Sequence, residues 1–232
     1  MRRVAGTWTP AVNALLDHLV KKGFTGAPRP MGTDPQGRDV VSYLDGKTVG
    51  SVRPWPRWTH SDAAIRDVGD WLRRYHLAVA DFTPPTDLAW REGQKWTPGK
   101  IIGHNDAAPY NAVWNDDGLV GFVDWDMAGP TTREQDLAWV AFSWVPLHAR
   151  KVVLDEGFTA FGKRRERLEA FLRAYRWDGS PNEVLELVRD RVQTQRAIIH
   201  SVAANGDATY QRMLAHGVDQ NLQAALTDLN SV

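Results

Sequence analysis

The chain predicts an α+β fold of two unequal lobes: a short mixed segment over residues 1–46, then a larger, mainly helical portion over residues 47–232 with a β-hairpin set into it. Three observations predict it. Apolar residues recur at helical spacing near the start and in four segments beyond Gln135. One β-branched run, residues 40–44, stands between the first helix and the rest. Two further short β runs flank Asn115-Asp116-Asp117-Gly118, a strong turn signal. At 232 residues the chain suits one sizeable domain or two small lobes sharing an interface, and it carries no internal repeat.

The elements follow in order. Pro10 suits the first turn of a helix, Val12, Leu15, Leu16, Leu19 and Val20 form its apolar face, and Gly23 ends it. Residues 26–37 are rich in Pro and Gly, and Asp34-Pro35-Gln36-Gly37 reads as a tight turn. The strand over 40–44 stops at Asp45-Gly46, and Pro54 and Pro56 mark a linker. Ser61 is the expected cap of a long helix with Ile65, Val68, Leu72, Tyr75 and Val79 on one face. Residues 84–99 read as an irregular connection. The hairpin pairs residues 112–114 with 119–123. Helices are expected over 136–144, 164–175, 181–204 and 210–229, and Gly179-Ser180-Pro181 supplies a stop, a cap and a first-turn proline.

Composition narrows the function. The 28 basic residues balance 28 acidic ones, so no basic surface calls for a nucleic acid. No apolar run is long enough to span a membrane, and the start, with two arginines but no apolar stretch, does not read as a signal peptide. The absence of cysteine excludes disulfides and thiolate metal sites and accords with the cytoplasm. Eleven tryptophans are read chiefly as core and rim packing.

Chemistry concentrates in Gly103-His104-Asn105-Asp106-Ala107-Ala108-Pro109-Tyr110-Asn111 and in Asp124-Trp125-Asp126. Asp106 precedes Asn111 by five positions in a stretch whose Gly and Pro exclude a regular helix. The hairpin then holds Asn111 at its entrance and Asp124 at its exit. Phosphoryl transfer asks a protein for positioning rather than covalent chemistry. Mg²⁺ takes hard oxygen ligands and only one or two carboxylates. Asn111 and Asp124 are therefore the candidate metal ligands, and Asp106 is the candidate base for an attacking hydroxyl. Asn115, Asp116 and Asp117 are read as turn formers, Asp17 and Asp70 as solvated helix faces, and His76 and His200 as packed or surface histidines.

The His-x-Asp-x-x-x-x-Asn string, the hairpin, Asp124-Trp125-Asp126 and the later Asp136-Leu137-Ala138 resemble the catalytic segment of the aminoglycoside phosphotransferase and choline kinase family. The likeness is strongest over residues 101–139 and weaker over 23–79. It implies a protein-kinase-like fold, Asp106 as base, Asn111 and Asp124 on Mg²⁺, and His104 as a structural histidine. It also implies ATP or GTP as co-substrate and a small-molecule hydroxyl as acceptor. Asp126 and Asp136 match acidic positions of structural or metal-adjacent kind. In the family, a strand carries a basic residue onto the α- and β-phosphates, which here falls on Arg2 or Arg3. The hinge strand, whose backbone receives the base, falls on Ser42, Tyr43 and Leu44.

The first strands of that family and their glycine loop over the phosphates have no counterpart here. A phosphate site without that cover is expected to be weaker and more open to water. The leading reading is a small-molecule kinase, and the alternative is a catalytically impaired nucleotide- or metabolite-binding pseudoenzyme. A hydrolase lacks support, because neither a nucleophile elbow nor a His-rich metal cluster is present. A polycationic acceptor would need an acidic pocket, for which Asp155, Glu156, Glu183 and Glu186 are the acids at hand. A sugar or a choline-like alcohol fits the sequence equally well, and the oligomeric state is not legible.

Overall fold

The computed structural model describes residues 1–50 and 52–231. Arg2–Arg3 form a first short strand, β1, and the chain turns from it into helix α1, Thr9–Lys21. Pro10 occupies the first turn of α1, the Thr9 hydroxyl accepts the Gly6 amide at 2.9 Å, and Leu15, Leu16 and Leu19 are buried. Strands β2, Pro30–Thr33, and β3, Asp39–Val41, complete a three-stranded antiparallel sheet in the order β1-β3-β2. Arg3 stands opposite Asp39 and Pro30 opposite Val41. The turn between β2 and β3 is the expected one, with the Asp34 carboxylate accepting the amides of Gln36 and Arg38 at 3.0 and 2.9 Å.

The strand read over residues 40–44 is shifted and shortened to Asp39–Val41. Pro28 and Pro30 supply no amide to lengthen the ladder. Ser42 instead turns onto Arg29 through its amide and its hydroxyl, both at 2.8 Å. Tyr43 and Leu44 leave the sheet, and Lys47 then exchanges backbone hydrogen bonds with Trp114 at 2.8 and 2.9 Å.

Helix α2, Asp62–Ala78, is capped by the Ser61 hydroxyl, which accepts the Ala64 amide at 3.1 Å. Its apolar face is the one the spacing gives, with Ile65, Val68, Leu72 and Tyr75 buried. Strands β4, Ile101–Gly103, β5, Ala112–Asn115, β6, Gly118–Phe122, and β7, Gly129–Thr131, follow. The pair β5–β6 is the expected hairpin, and β4 pairs antiparallel with β7. Strand β7 reads Gly-Pro-Thr, in which only Thr131 favours a strand and Gly129 and Pro130 disfavour one. Its pairing with buried β4 makes it a strand.

Helices α3, Arg133–Trp144, α4, Arg150–Asp155, α5, Arg164–Tyr175, and α6, Pro181–Ala204, build the helical portion, and Ser180 with Glu183 closes a capping box on α6. The single helix expected over 210–229 is two: α7, Ala208–Ala215, and α8, Val218–Asp228. Gly217 separates them at φ 70°, a left-handed conformation that ends one helix and starts the next. The short α4 adds a helix that the periodicity did not reveal.

All eleven tryptophans are buried or half-buried. Four core aromatics also spend their polar atoms on backbone carbonyls. Trp71 Nε1 donates to Gly26 at 3.0 Å, Tyr75 OH to Ile102 at 2.6 Å, Trp125 Nε1 to Phe122 at 2.9 Å and Trp144 Nε1 to Ala107 at 2.8 Å. These bonds tie the core to the strands and loop that carry the chemistry.

Helices α2 and α5 cross closely at Gly69. A β-carbon there would lie 2.8 Å from both the Phe171 carbonyl and Ala174 Cβ. Substitution Gly69→Val should therefore force the helices apart and lower stability by about 2 kcal/mol, within the usual cost of overpacking. Urea unfolding checks this, and an unchanged midpoint would contradict the close crossing.

Candidate active site

The loop between β4 and β5 begins with His104, fully buried among Phe122 and Trp125. Burial pushes its pKa down to about 4, so the ring is neutral, and its Nδ1 accepts the Asp106 amide at 3.3 Å. Asn105 adopts a left-handed conformation, φ 58°, which Asn tolerates better than most residues. Its backbone amide donates to Asp136 Oδ1 at 3.0 Å, and its side-chain amide donates to the carbonyls of Met127 and Gly129. Asp136 is fully buried and takes a second hydrogen bond from His76 Nε2 at 3.0 Å. Burial alone would raise the Asp136 pKa, but the bonds from His76 and the Asn105 amide hold it below the ordinary carboxylate value. Asp136 is thus a structural acid, and His76 is its packed partner, bonded on the other side to Tyr175.

Asp106 follows with its carboxylate fully engaged. Tyr110 OH donates to Oδ1 at 2.6 Å and Asn111 Nδ2 to Oδ2 at 2.8 Å. Burial, with the Asp124 charge adding to it, raises its pKa to about 7 against the lowering effect of Tyr110 and Asn111. Since Asn111 spends its amide nitrogen on Asp106, its oxygen remains as a ligand; the Asn111 carbonyl accepts the Val123 amide at 2.9 Å, which draws the two ends of the hairpin together. Asp124 sits just past β6 at φ 60°, a left-handed position of the kind that concentrates at functional sites. Burial and then Asp126 raise its pKa. Among the described residues no basic side chain lies within ion-pair distance of Asp124. A hard amide oxygen beside an unneutralised carboxylate is a donor set that suits Mg²⁺.

Two cavities meet at these residues. One, of about 550 Å³, is lined by Arg3, Ser42, Tyr43, Leu44, Asn111, Asp124 and Asp126 among others. The second, of about 530 Å³, contains Asp106, Tyr110, Asp124 and Asp126 and runs back between α3, α4, α6, α7 and α8. Asp124 and Asp126 belong to both. Arg3 lines the first cavity, its Nε on Asp39 at 2.6 Å and its Nη1 on Asp126 at 2.7 Å, while its buried Nη2 has no hydrogen-bond partner. Arg2 lies elsewhere, exposed beside Asp34. The Ser42 amide is spent on Arg29, whereas those of Tyr43 and Leu44 bond to no other described residue.

The structure adds residues that the sequence did not single out. Tyr110 lies inside the recognised string and is marked only by its contact with Asp106. Arg91 comes from the irregular connection, stacks 4.3 Å over Trp8 and stands 3.9 Å from Asp126, a placement no local pattern reveals. Of the four acids considered for a cationic acceptor, Glu156 lines the second cavity. Asp155 is instead exposed, and Glu183 is engaged in the α6 cap.

Comparison with known proteins places the chain by likeness of sequence and fold. The model of the phosphotransferase enzyme family matches residues 93–175. The trifolitoxin immunity protein of Rhizobium leguminosarum bv. trifolii is 33% identical over 178 residues, 75% of this chain; the chain spans 66% of that protein, just under two thirds of its length. Among solved structures, the amicoumacin kinase hAmiN in complex with AMP-PNP, Ca²⁺ and Ami aligns with a TM-score of 0.61 at 11% identity, over 94% of this chain and 78% of its own. The GDP complex of aminoglycoside 2'-phosphotransferase-IIIa aligns with a TM-score of 0.57 at 13% identity, over 97% of this chain and 82% of its own. Residues 93–175 are thus similar to the phosphotransferase enzyme family, and the chain has the protein-kinase-like fold of these solved phosphotransferases.

Proposed function

We propose that the protein transfers the γ-phosphate of ATP or GTP to a hydroxyl of a small molecule. The observation that carries this reading is the meeting of two cavities at the carboxylates of Asp124 and Asp126. A nucleotide in the first would present its terminal phosphate to Asn111 and Asp124, and a hydroxyl compound in the second would lie against Asp106. Asp106 takes the proton of the attacking hydroxyl, and Asn111 Nδ2 keeps the carboxylate turned toward it. Arg3 offers its free Nη2 to the phosphates, and the amides of Tyr43 and Leu44 are available to the base. Asn111 Oδ1 and Asp124 would hold Mg²⁺, which when bound offsets the charge on the phosphates.

The division at residue 46 is part of the same reading, with the nucleotide between residues 1–46 and the rest and the acceptor in residues 47–232. The nucleotide donor makes the cytoplasm the place of work. The trifolitoxin immunity protein supports, by its name, an acceptor that is toxic to the cell. A second reading, a nucleotide-binding protein without turnover, is favoured by the Tyr110 hydroxyl on Asp106.

The variant Asp106→Asn keeps the shape and removes the base. Turnover of Mg²⁺-nucleotide over a panel of alcohols should fall by about 10²–10⁴ while nucleotide affinity stays within a few-fold. Equal turnover in the variant and the parent would remove Asp106 from the chemistry.

The same carboxyl makes two pH predictions. Since Asp106 must be ionised to act and its pKa is about 7, the rate should rise with pH through that value. Its folded-state pKa lies above the unfolded one, so the folded state holds the extra proton. Stability should then decline as pH rises from about 4 to about 7, by a few kcal/mol at most. In thermal scans the stability gain of Asp106→Asn should be present at pH 8 and absent at pH 4. A pH-independent difference would argue against the raised pKa.

A further inference from the structure

The second cavity carries information about the acceptor that the catalytic residues do not. Away from Asp106 its wall is largely apolar, built by Trp139, Phe142, Val152, Ile199, Met213 and Leu222, with the uncharged polar side chains of Ser143, Gln195, Thr209 and Asn221 between them. The charges that reach it are matched within the protein. Arg53 Nη1 stands 3.0 Å from Glu156 Oε1, with His148 Nδ1 at 3.5 Å from the same oxygen. Asp126 is taken by Arg3 at 2.7 Å and faces Arg91 at 3.9 Å, and Arg91 is also 3.8 Å from Asp207. The carboxylates of this cavity without a basic neighbour, Asp106 and Asp124, lie at the end where the phosphoryl group would arrive. An ammonium group placed deeper would find no free acid and would sit against apolar side chains, which is costly.

Among the described residues of its lining, three buried polar atoms have no hydrogen-bond partner: Arg91 Nε and Asn105 Oδ1 at the catalytic end, and Glu156 Oε2, the acceptor beside the apolar wall. Glu156 lines the cavity with a side chain only 2% exposed, and its Oε2 is buried with no hydrogen-bond partner. Its backbone carbonyl is fixed by the Trp55 amide at 3.0 Å and lies 3.1 Å from His60 Nε2, so the residue has little freedom to turn outward. A buried acceptor of this kind asks for a donor. Because Arg53 already balances the charge, a neutral donor suffices.

We infer that the acceptor is an uncharged hydroxyl compound with an apolar body, which lies along the α3, α4, α6 and α8 wall and donates one hydrogen bond to Glu156. The cavity rejects polycations of the aminoglycoside kind because Arg53 neutralises the acid that would bind them. This assignment rests on the phosphotransferase reading for calling the ligand an acceptor. The cavity's selectivity can nonetheless be measured without nucleotide.

The test is calorimetric titration of the full chain with three probes that separate head, body and charge. These are octyl β-glucoside below its micelle concentration, methyl β-glucoside, and kanamycin. Octyl glucoside should bind at least about tenfold more tightly than methyl glucoside and more tightly than kanamycin. Two variants fix the location. Val218→Asp, at the half-buried start of α8 on the cavity wall, should weaken octyl glucoside at least about tenfold. Arg53→Met, which frees the Glu156 charge, should strengthen kanamycin at least about fivefold. Kanamycin as the tightest ligand of the parent chain, equal affinity for the two glucosides, no saturable binding of octyl glucoside, or an unmoved kanamycin affinity in Arg53→Met would each overturn the inference. Binding in this pattern together with loss of the Asp106→Asn effect on turnover would leave the acceptor assignment of the cavity standing as a binding site and remove the phosphotransferase reading alone.

Discussion

A carboxylate buried in a protein core must be matched by donors or it costs more than the core can supply. Asp136 meets that demand with the His76 ring and the Asn105 amide, and it thereby fixes the loop that carries Asp106. The chain of contacts runs on from His76 to Tyr175 and from there to Arg133 at the start of α3. Helices α2, α3 and α5 are thus locked to one backbone amide of the catalytic loop. The left-handed conformation of Asn105 is sustained by three further elements at once: its own side chain on Met127 and Gly129, the pairing of β4 with β7, and the Trp144 indole on Ala107. Removal of the Asp136 charge would release the loop from the core at its most strained point.

The second constraint is electrostatic. Asp106, Asp124 and Asp126 are gathered without an equal number of cations beside them, and both Asp106 and Asp124 are harder to ionise, through burial first and the neighbouring acid second. Such an arrangement lowers stability, and proteins keep arrangements of this type where chemistry needs them. Arg3 bridges Asp39 of the sheet to Asp126 of the hairpin end, and Arg91 stands 3.9 Å from the same Asp126 carboxylate. The small sheet and the helical portion are therefore joined at the place where phosphate charge would arrive. The cavity behind Asp106 has the opposite character, largely apolar and internally neutral, so the site is polarised from one end to the other.

Much of this was legible from the residues. The periodicity of Ile65, Val68, Leu72 and Tyr75 named the buried face of α2, Ser61 named its cap, and the turn signal at Asn115–Gly118 named the hairpin. These features are local, and local sequence determines them. The Asp106, Asn111 and Asp124 group was readable because a hairpin of fixed length must bring its ends together. What escaped depended on partners far along the chain. Strand β1 exists because Arg2 and Arg3 find Val40 and Asp39, and β7 exists because Gly-Pro-Thr lies against β4. The break at Gly217 needed knowledge of its left-handed backbone, and the pairing of Arg53 with Glu156 spans a distance in sequence that no motif covers.

On the proposed reading, the first cavity is a metal-dependent phosphate site built on Asn111, Asp124 and Arg3. Calorimetric titration of ATP and of GTP, with and without Mg²⁺, tests it directly on the parent chain and on Asp124→Asn. Mg²⁺ should tighten binding of at least one nucleotide by about tenfold or more, and Asp124→Asn should remove this dependence while leaving metal-free binding in place. Equal affinity with and without the metal, or no binding at millimolar nucleotide, would contradict it.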